Sequence, residues 1–282
     1  MAKIAIVTDS TSDLPEKLVK KNNISVIPLK VHFGHEEFVD DGKDLTLEDF
    51  YIKLKESEAF PTTSRPSPGD FIELYRKLLK THDSIISIHI SNNLSATTGS
   101  ALLAKKDFPD EDITIIDSLA AHAPLGLIVL KAAQMNSEGR SKEEIVKKVN
   151  EMIQSVKAFI LPKTLDNLKK GGRIGKARGL LASLLDIKPI LTLTPDGHIG
   201  IFKTIRRWSK AKKKAIDSIG DFTSGSGNLT VFISDANAIE DVEEVEKEIR
   251  ELYNPKEVLK VKIGIVVGTH VGTGIGITFY EE

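Results

Sequence analysis

The side chains best suited to chemistry in this chain are hydroxyls, a histidine and two aspartates, each placed where an apolar run ends. Ser95 follows the β-branched run Ile85, Ile86, Ile88 and Ile90, broken by Ser91, Asn92 and Asn93, and Ala96 to Ala104 can then propagate a helix. It therefore sits where a parallel strand ends and the first free N–H groups of a helix begin. Those groups and the helix dipole favour an anion, at the edge of an open α/β sheet where ligands bind. The same placement suits a helix cap, and both readings stand. Thr62, Thr63 and Ser64 lie in a proline-rich stretch that reads as a stiff, non-helical loop. Their hydroxyls either satisfy the loop's own backbone or point donors at a ligand. His270 follows an apolar strand read as Val258–Val267 and opens a glycine-rich loop to Gly276, an exposed placement that suits a ligand role. Asp9-Ser10 and Asp117-Ser118 both end strands, which suggests one rim of small polar groups; ordinary turn chemistry is the stronger reading for both aspartates.

The remaining motifs exclude more than they offer. The chain has no cysteine, so disulfides, thiolate metal sites and a cysteine nucleophile are ruled out. Lys169–Lys176 contains three glycines but lacks the Lys-Ser/Thr ending of a phosphate-binding loop, and Gly272, Gly274 and Gly276 do not space as a dinucleotide fingerprint. A net charge of −1 gives no global field to recruit nucleic acid or an acidic membrane. The basic clusters Lys169–Arg178 and Arg206–Lys214 read as solvated faces. No apolar run approaches the ~20 residues that span a bilayer, and the N-terminus shows no secretory segment, so a cytoplasmic protein without a metal or cofactor is expected.

Elements must position these residues. Ile4–Thr8, a helix opening at Pro15-Glu16 and a strand over Ile24–Val31, interrupted or at an edge because of Pro28, form a β-α-β start that implies parallel pairing. Thr46 caps a helix running to about Glu56. Ser67 caps another, with Pro68 first and Phe71, Tyr75 and Leu78 on one face. Further helices are read over Pro124–Met135 and from Ser141. Beyond Val156–Phe159 the rhythm changes: Pro195-Asp196-Gly197 joins a hairpin, three more strands follow, and helices cover them at Trp208–Ile219 and Ala238–Tyr253. The expected architecture is α/β in two domains, 1–157 with a parallel sheet and 158–282 with a mixed sheet.

Taken together, the pieces resemble the DegV family, fatty-acid-binding proteins that act as acyl carriers for bacterial fatty-acid kinase. The resemblance runs nearly end to end. It rests on the opening Ile-Val-Thr-Asp-Ser-Thr-Ser-Asp-Leu, Thr63-Ser64-x-Pro66-Ser67, Leu94-Ser95 before a helix, and Ile116-Asp117-Ser118. It continues through Gly172-Arg173-Ile174, Ile205-Arg206 ahead of Lys210-Ala211, and Thr269-His270-x-Gly272. It implies a lipid tunnel at the junction of the two domains, with the carboxylate held by Thr63, Ser95 and His270. Arg206 is implied near the head group or on the kinase-facing surface, and Arg173 in a domain-junction loop. It implies a long-chain fatty acid and a kinase subunit as partners, a part in phospholipid synthesis, and leaves transient contact with a membrane surface open. Three positions depart from the family's usual pattern: Ala96 for Gly, Thr273 for Pro and Arg65 for Gln. Ala96 narrows backbone approach to the head group and Arg65 adds a cation near it.

The energetics suit such a carrier. About 0.8 kcal/mol per buried methylene gives roughly 12 kcal/mol gross for ~15 methylenes, and association costs ~4 kcal/mol or more, which leaves room for micromolar binding or tighter. A second reading is a serine hydrolase using Ser95 and His270. It lacks a Gly-x-Ser-x-Gly elbow and would need Asp9 or Asp117 as the orienting acid. A polyanion-binding regulator is the weakest reading, because the net charge is near zero.

Overall fold

The computed structural model describes residues 3–182, 187–225 and 227–282, without the side chains of 180–182. Met1 and Ala2 of the leader reading and residues 183–186 of the expected C-terminal domain thus lie outside the described residues. The chain divides into two compact units, Met1–Gln154 with Gly264–Val266, and Ser155–Ile263 with Val267–Glu282. Among the described residues no helix is long and apolar enough to cross a membrane.

The first unit opens with β1 (Ile4–Asp9), α1 (Glu16–Lys21) and β2 (Ile24–Ile27), with β1 and β2 paired in parallel. Pro28 has no N–H to donate to a ladder, and the apolar run breaks there. The chain resumes as β3 (Lys30–Phe33) in a separate antiparallel sheet with β4 (Glu36–Val39). Next come α2 (Leu47–Glu56), β5 (Thr62–Ser64), α3 (Pro68–Leu78), β6 (Ser84–His89), α4 (Thr97–Lys105), β7 (Ile113–Asp117), α5 (Ala123–Ser137) and α6 (Lys142–Ser155). Thr62–Ser64 are thus a strand rather than the loop expected: they pair with β3, Thr63 opposite Val31. Ser67 caps α3 as expected, and it does so in a full capping box with Asp70.

The parallel sheet has the order β2-β1-β6-β7. Ala5, Val7, Ile85 and Ile113 on one face pack against Phe71 and Tyr75 of α3 and Ala101 of α4. The other helix contact of β1 and β6 is α5, whose buried residues include Leu125, Ile128 and Val129. The connections leave β1 in one direction and β6 in the other, so a switch point lies between those two strands, at the end carrying Asp9 and Ser95.

The second unit begins with β8 (Lys157–Pro162), α7 (Asp166–Lys170) and a 3-10 segment, Gly175–Ala182. The hairpin β9 (Lys188–Leu193) and β10 (Ile199–Ile205), α8 (Trp208–Asp217), β11 (Leu229–Ala236), α9 (Ile239–Tyr253) and β12 (Glu257–Lys262) follow. The chain ends in α10 (Ile265–Val271) and β13 (Gly274–Glu281). The six-stranded order is β10-β9-β8-β13-β11-β12, in which β11 and β12 are parallel and the remaining pairs antiparallel, a mixed sheet. Val258–Val267 is not one strand: the ladder stops at Lys262 and the chain turns helical. Ile265 and Val266 pack with Leu29, Val31, Phe33 and Phe50 of the first unit's core, a burial that outweighs the strand preference of a β-branched run.

Candidate functional site

In the first unit, the turn from β6 to α4 is fixed from several sides. Ser91 N–H donates to Ala120 O at 2.7 Å, and Leu94 and Ser95 N–H both reach Ser91 O at 2.9 Å. Asp117 accepts from Asn92 N–H at 3.2 Å and Leu119 N–H at 2.9 Å, so its two oxygens tie the turn to the end of β7. The N-cap position of α4 falls on Ala96, without a side-chain cap bond. Ser95 therefore does not cap the helix. Its hydroxyl, half-buried, lies 2.9 Å from Thr97 Oγ1, and a hydroxyl pair of this kind retains donor and acceptor capacity. Thr63 is half-buried on β5. Its neighbour Arg65 donates from Nε to Ser100 Oγ of α4 at 3.0 Å, which fastens the β5 exit to the helix that follows Ser95.

Asp9 serves the fold. One oxygen accepts from Thr11 N–H at 3.1 Å and from the Thr11 hydroxyl; the other lies 3.0 Å from both Ile90 N and His89 Nδ1. His89 Nε2 is 2.6 Å from Ser87 Oγ, and Tyr75 OH donates to Ser87 Oγ at 2.9 Å. One proton order that satisfies the chain runs Nδ1–H to Asp9, Ser87 O–H to Nε2 and Tyr75 O–H to Ser87. The acid, imidazole and serine stand in triad order, yet all three are fully buried, and no substrate reaches Ser87. Burial pushes the Tyr75 phenol above its ordinary range despite the bond to Ser87. The alternation of Ser87 and His89 within an isoleucine strand was the available signal for this relay. Asp9 is thus engaged with His89 and the amides of Thr11 and Ile90, and Asp117 with the amides of Asn92 and Leu119.

In the second unit, His270 lies in α10, not in the flexible loop expected for it. Its imidazole packs against Gly171, just past α7. Asn167 of α7 donates from Nδ2 to Thr269 O at 3.0 Å, and Arg173 donates from Nη1 to Gly171 O at 2.8 Å. Gly272 follows at φ +70°, a conformation that glycine adopts freely, and continues the chain into β13. Burial lowers the His270 pKa to about 4, and the Arg173 guanidinium adds to the effect, so the ring is neutral at pH 7. The link of Asn167 and Gly171 to the His270 segment escaped the sequence reading because it spans about a hundred residues of chain.

Arg206 is exposed between β10 and α8. The cluster around it is not wholly a solvated face: Lys212 is buried and bonds Asp241 at 2.8 Å and also Glu244. Asp241 additionally receives Trp208 Nε1–H at 2.8 Å and Lys163 at 2.5 Å. Burial raises the Asp241 pKa, but these donors outweigh it and hold the carboxylate at about 2. Among the described residues no group of three or more His, Asp or Glu side chains is arranged to hold a metal ion.

The chain resembles known proteins along its whole length. Residues 3–282 match the model of the DegV family, described as uncharacterised proteins. A DegV domain-containing protein of Caldanaerobacter subterraneus subsp. tengcongensis is 36% identical over 286 residues, covering all of both chains. A solved DegV family protein from Thermus thermophilus, described by its fatty acid binding, superposes with a TM-score of 0.92 at 33% identity, over 99% of this chain and 100% of that one. A stearic acid-binding protein from Eubacterium ventriosum gives a TM-score of 0.89 at 28% identity, over 100% of this chain and 98% of that one. The chain belongs to the DegV family.

Proposed function

We propose that this protein binds a long-chain fatty acid in an apolar tunnel and presents its carboxylate to a separate kinase for acyl-phosphate formation, as a carrier in the cytoplasm rather than an enzyme. The hydroxyls of Thr63 and Ser95 and the imidazole of His270 donate to the carboxylate. Arg206, exposed ahead of α8, contacts the kinase. The observation that carries the reading is the pairing of His270 with Arg173. A guanidinium beside a buried imidazole disfavours a second positive charge there, a cost that a bound anion relieves. A neutral N–H still donates, and a carboxylate held by several donors tolerates burial. Relatives described as fatty-acid binding support the ligand class.

Native mass spectrometry of protein purified from cells, followed by denaturation and lipid extraction, tests the ligand. A stoichiometric fatty acid released on unfolding is the expected result. A protein at bare chain mass that also stays empty when offered oleic acid refutes it. Acyl-phosphate formation on mixing the loaded protein with a fatty-acid kinase subunit and ATP tests the delivery step, and Arg206→Ala is expected to weaken it while lipid binding is retained.

A further inference from the structure

Gly171 approaches the His270 ring closely. A Cβ at residue 171 would run into His270 Nδ1 and lie 3.0 Å from both His270 Cε1 and the Asn167 carbonyl oxygen. The residue's backbone is helical, with φ −75° and ψ −6°, so no left-handed conformation requires glycine there. What requires it is the ring. Both backbone groups of Gly171 are also engaged: its N–H donates to Asn167 O at 2.8 Å, and its carbonyl accepts from Arg173 Nη1 at 2.8 Å. Arg173 N–H returns to Leu168 O at 3.0 Å. Asn167 links the same turn to α10 through Thr269 O. Its Oδ1 lies 2.9 Å from where a Cβ on Gly272 would stand. One glycine thus touches the imidazole through its bare Cα and orients the guanidinium through its carbonyl.

We infer that Gly171 is a positioning residue for head-group binding: its missing side chain seats His270 and its carbonyl aims Arg173, with Asn167 locking the last turn of α10 in register. The inference rests on the proposed role of His270 and adds the device that holds it. Gly171→Ala pushes the ring out of its seat, while the φ and ψ of residue 171 are ones that alanine adopts freely. The ring then gains solvent and moves from the guanidinium, so its titration midpoint rises from about 4 toward the ordinary histidine value near 6.5.

The test is a double-mutant cycle read by two observables: oleic acid affinity by calorimetry, and the His270 titration by NMR of the ring C–H. Gly171→Ala is expected to weaken oleate by about 10-fold or more, the loss typical of a misplaced hydrogen bond to a charged group, and to raise the His270 midpoint. In a His270→Asn background, which removes the ring, adding Gly171→Ala is expected to change affinity little, because the two substitutions act through one contact. Should Gly171→Ala fail to fold, Asn167→Ala, which removes the bond to Thr269 O and leaves residue 171 unchanged, must move both observables in the same direction. Unchanged oleate affinity or an unchanged His270 midpoint in the folded variant overturns the inference. If His270→Asn alone binds oleate like the parent chain, the head-group role of His270 fails, and the seat is still decided by the His270 midpoint in Gly171→Ala.

Discussion

Replacing His270 with glutamine should flatten part of the protein's acid instability. The folded ring titrates at about 4 and a free histidine at 6.5. Above pH 6.5 both states hold it neutral, and its contribution to stability is complete. As pH falls, the unfolded chain takes up a proton that the folded one refuses, so stability is lost between 6.5 and 4 and is level below. At ~1.36 kcal/mol per pH unit, the window of about 2.5 units amounts to ~3 kcal/mol in full, and to ~2 kcal/mol at pH 5. Glutamine has no proton to take up. Urea unfolding of the ligand-free protein, followed by Trp208, the sole tryptophan and a residue of the unit that carries His270, reads the difference. The gap between parent and His270→Gln should change by ~2 kcal/mol between pH 7 and pH 5, in favour of the variant. Parallel profiles across that range would refute the burial argument for His270.

Other expectations follow from the same geometry. Asp40 is pushed up to about 8 by burial, with the Asp13 charge adding to it, while donors at Ser10 and Ile265 partly offset the rise. A carboxyl kept protonated by the fold loses stability as pH rises from its unfolded value of 3.8 to 8, so Asp40→Asn should gain on the parent across that window by ~1 kcal/mol or more at pH 8, measured by urea unfolding. Tyr75→Phe removes the donor to Ser87 and should cost ~1 kcal/mol, whereas His89→Leu leaves the Asp9 carboxylate buried without its ring partner and should cost ~3 kcal/mol or more; equal losses in thermal unfolding would break the relay assignment. Ser95→Ala should stay within ~1 kcal/mol of the parent in stability, because Ser95 caps no helix, yet lose most of its fatty acid in calorimetry.

Local patterns reveal the parts of the fold that depend on local physics. Ser67-Pro68 stops and starts a helix through bonds to Asp70, three residues away. Pro195-Asp196-Gly197 turns its hairpin, and the isoleucine run of β6 is too apolar and too short for anything but a buried strand. Where the outcome depended on partners distant in sequence, local reading misplaced it. Thr62–Ser64 are three residues with no pattern of their own and became a strand because β3 offered its edge. Asp9 makes the turn bond to Thr11 N–H that its sequence suggests, but its burial follows from His89 and Ile90, eighty residues away, which bond its other oxygen.

The sequence by itself determined the family and much of the alternation of strands and helices, because motif order and periodicity are local and additive. Tertiary structure alone decided that Ile265–Val271 is a helix and that Ser95 stands just outside one. It alone decided that His270 rests against Gly171 and beside Arg173 in a neutral state. The physical reason is that burial and proximity between residues far apart in the chain set both the conformation of a short β-branched segment and the proton affinity of an imidazole.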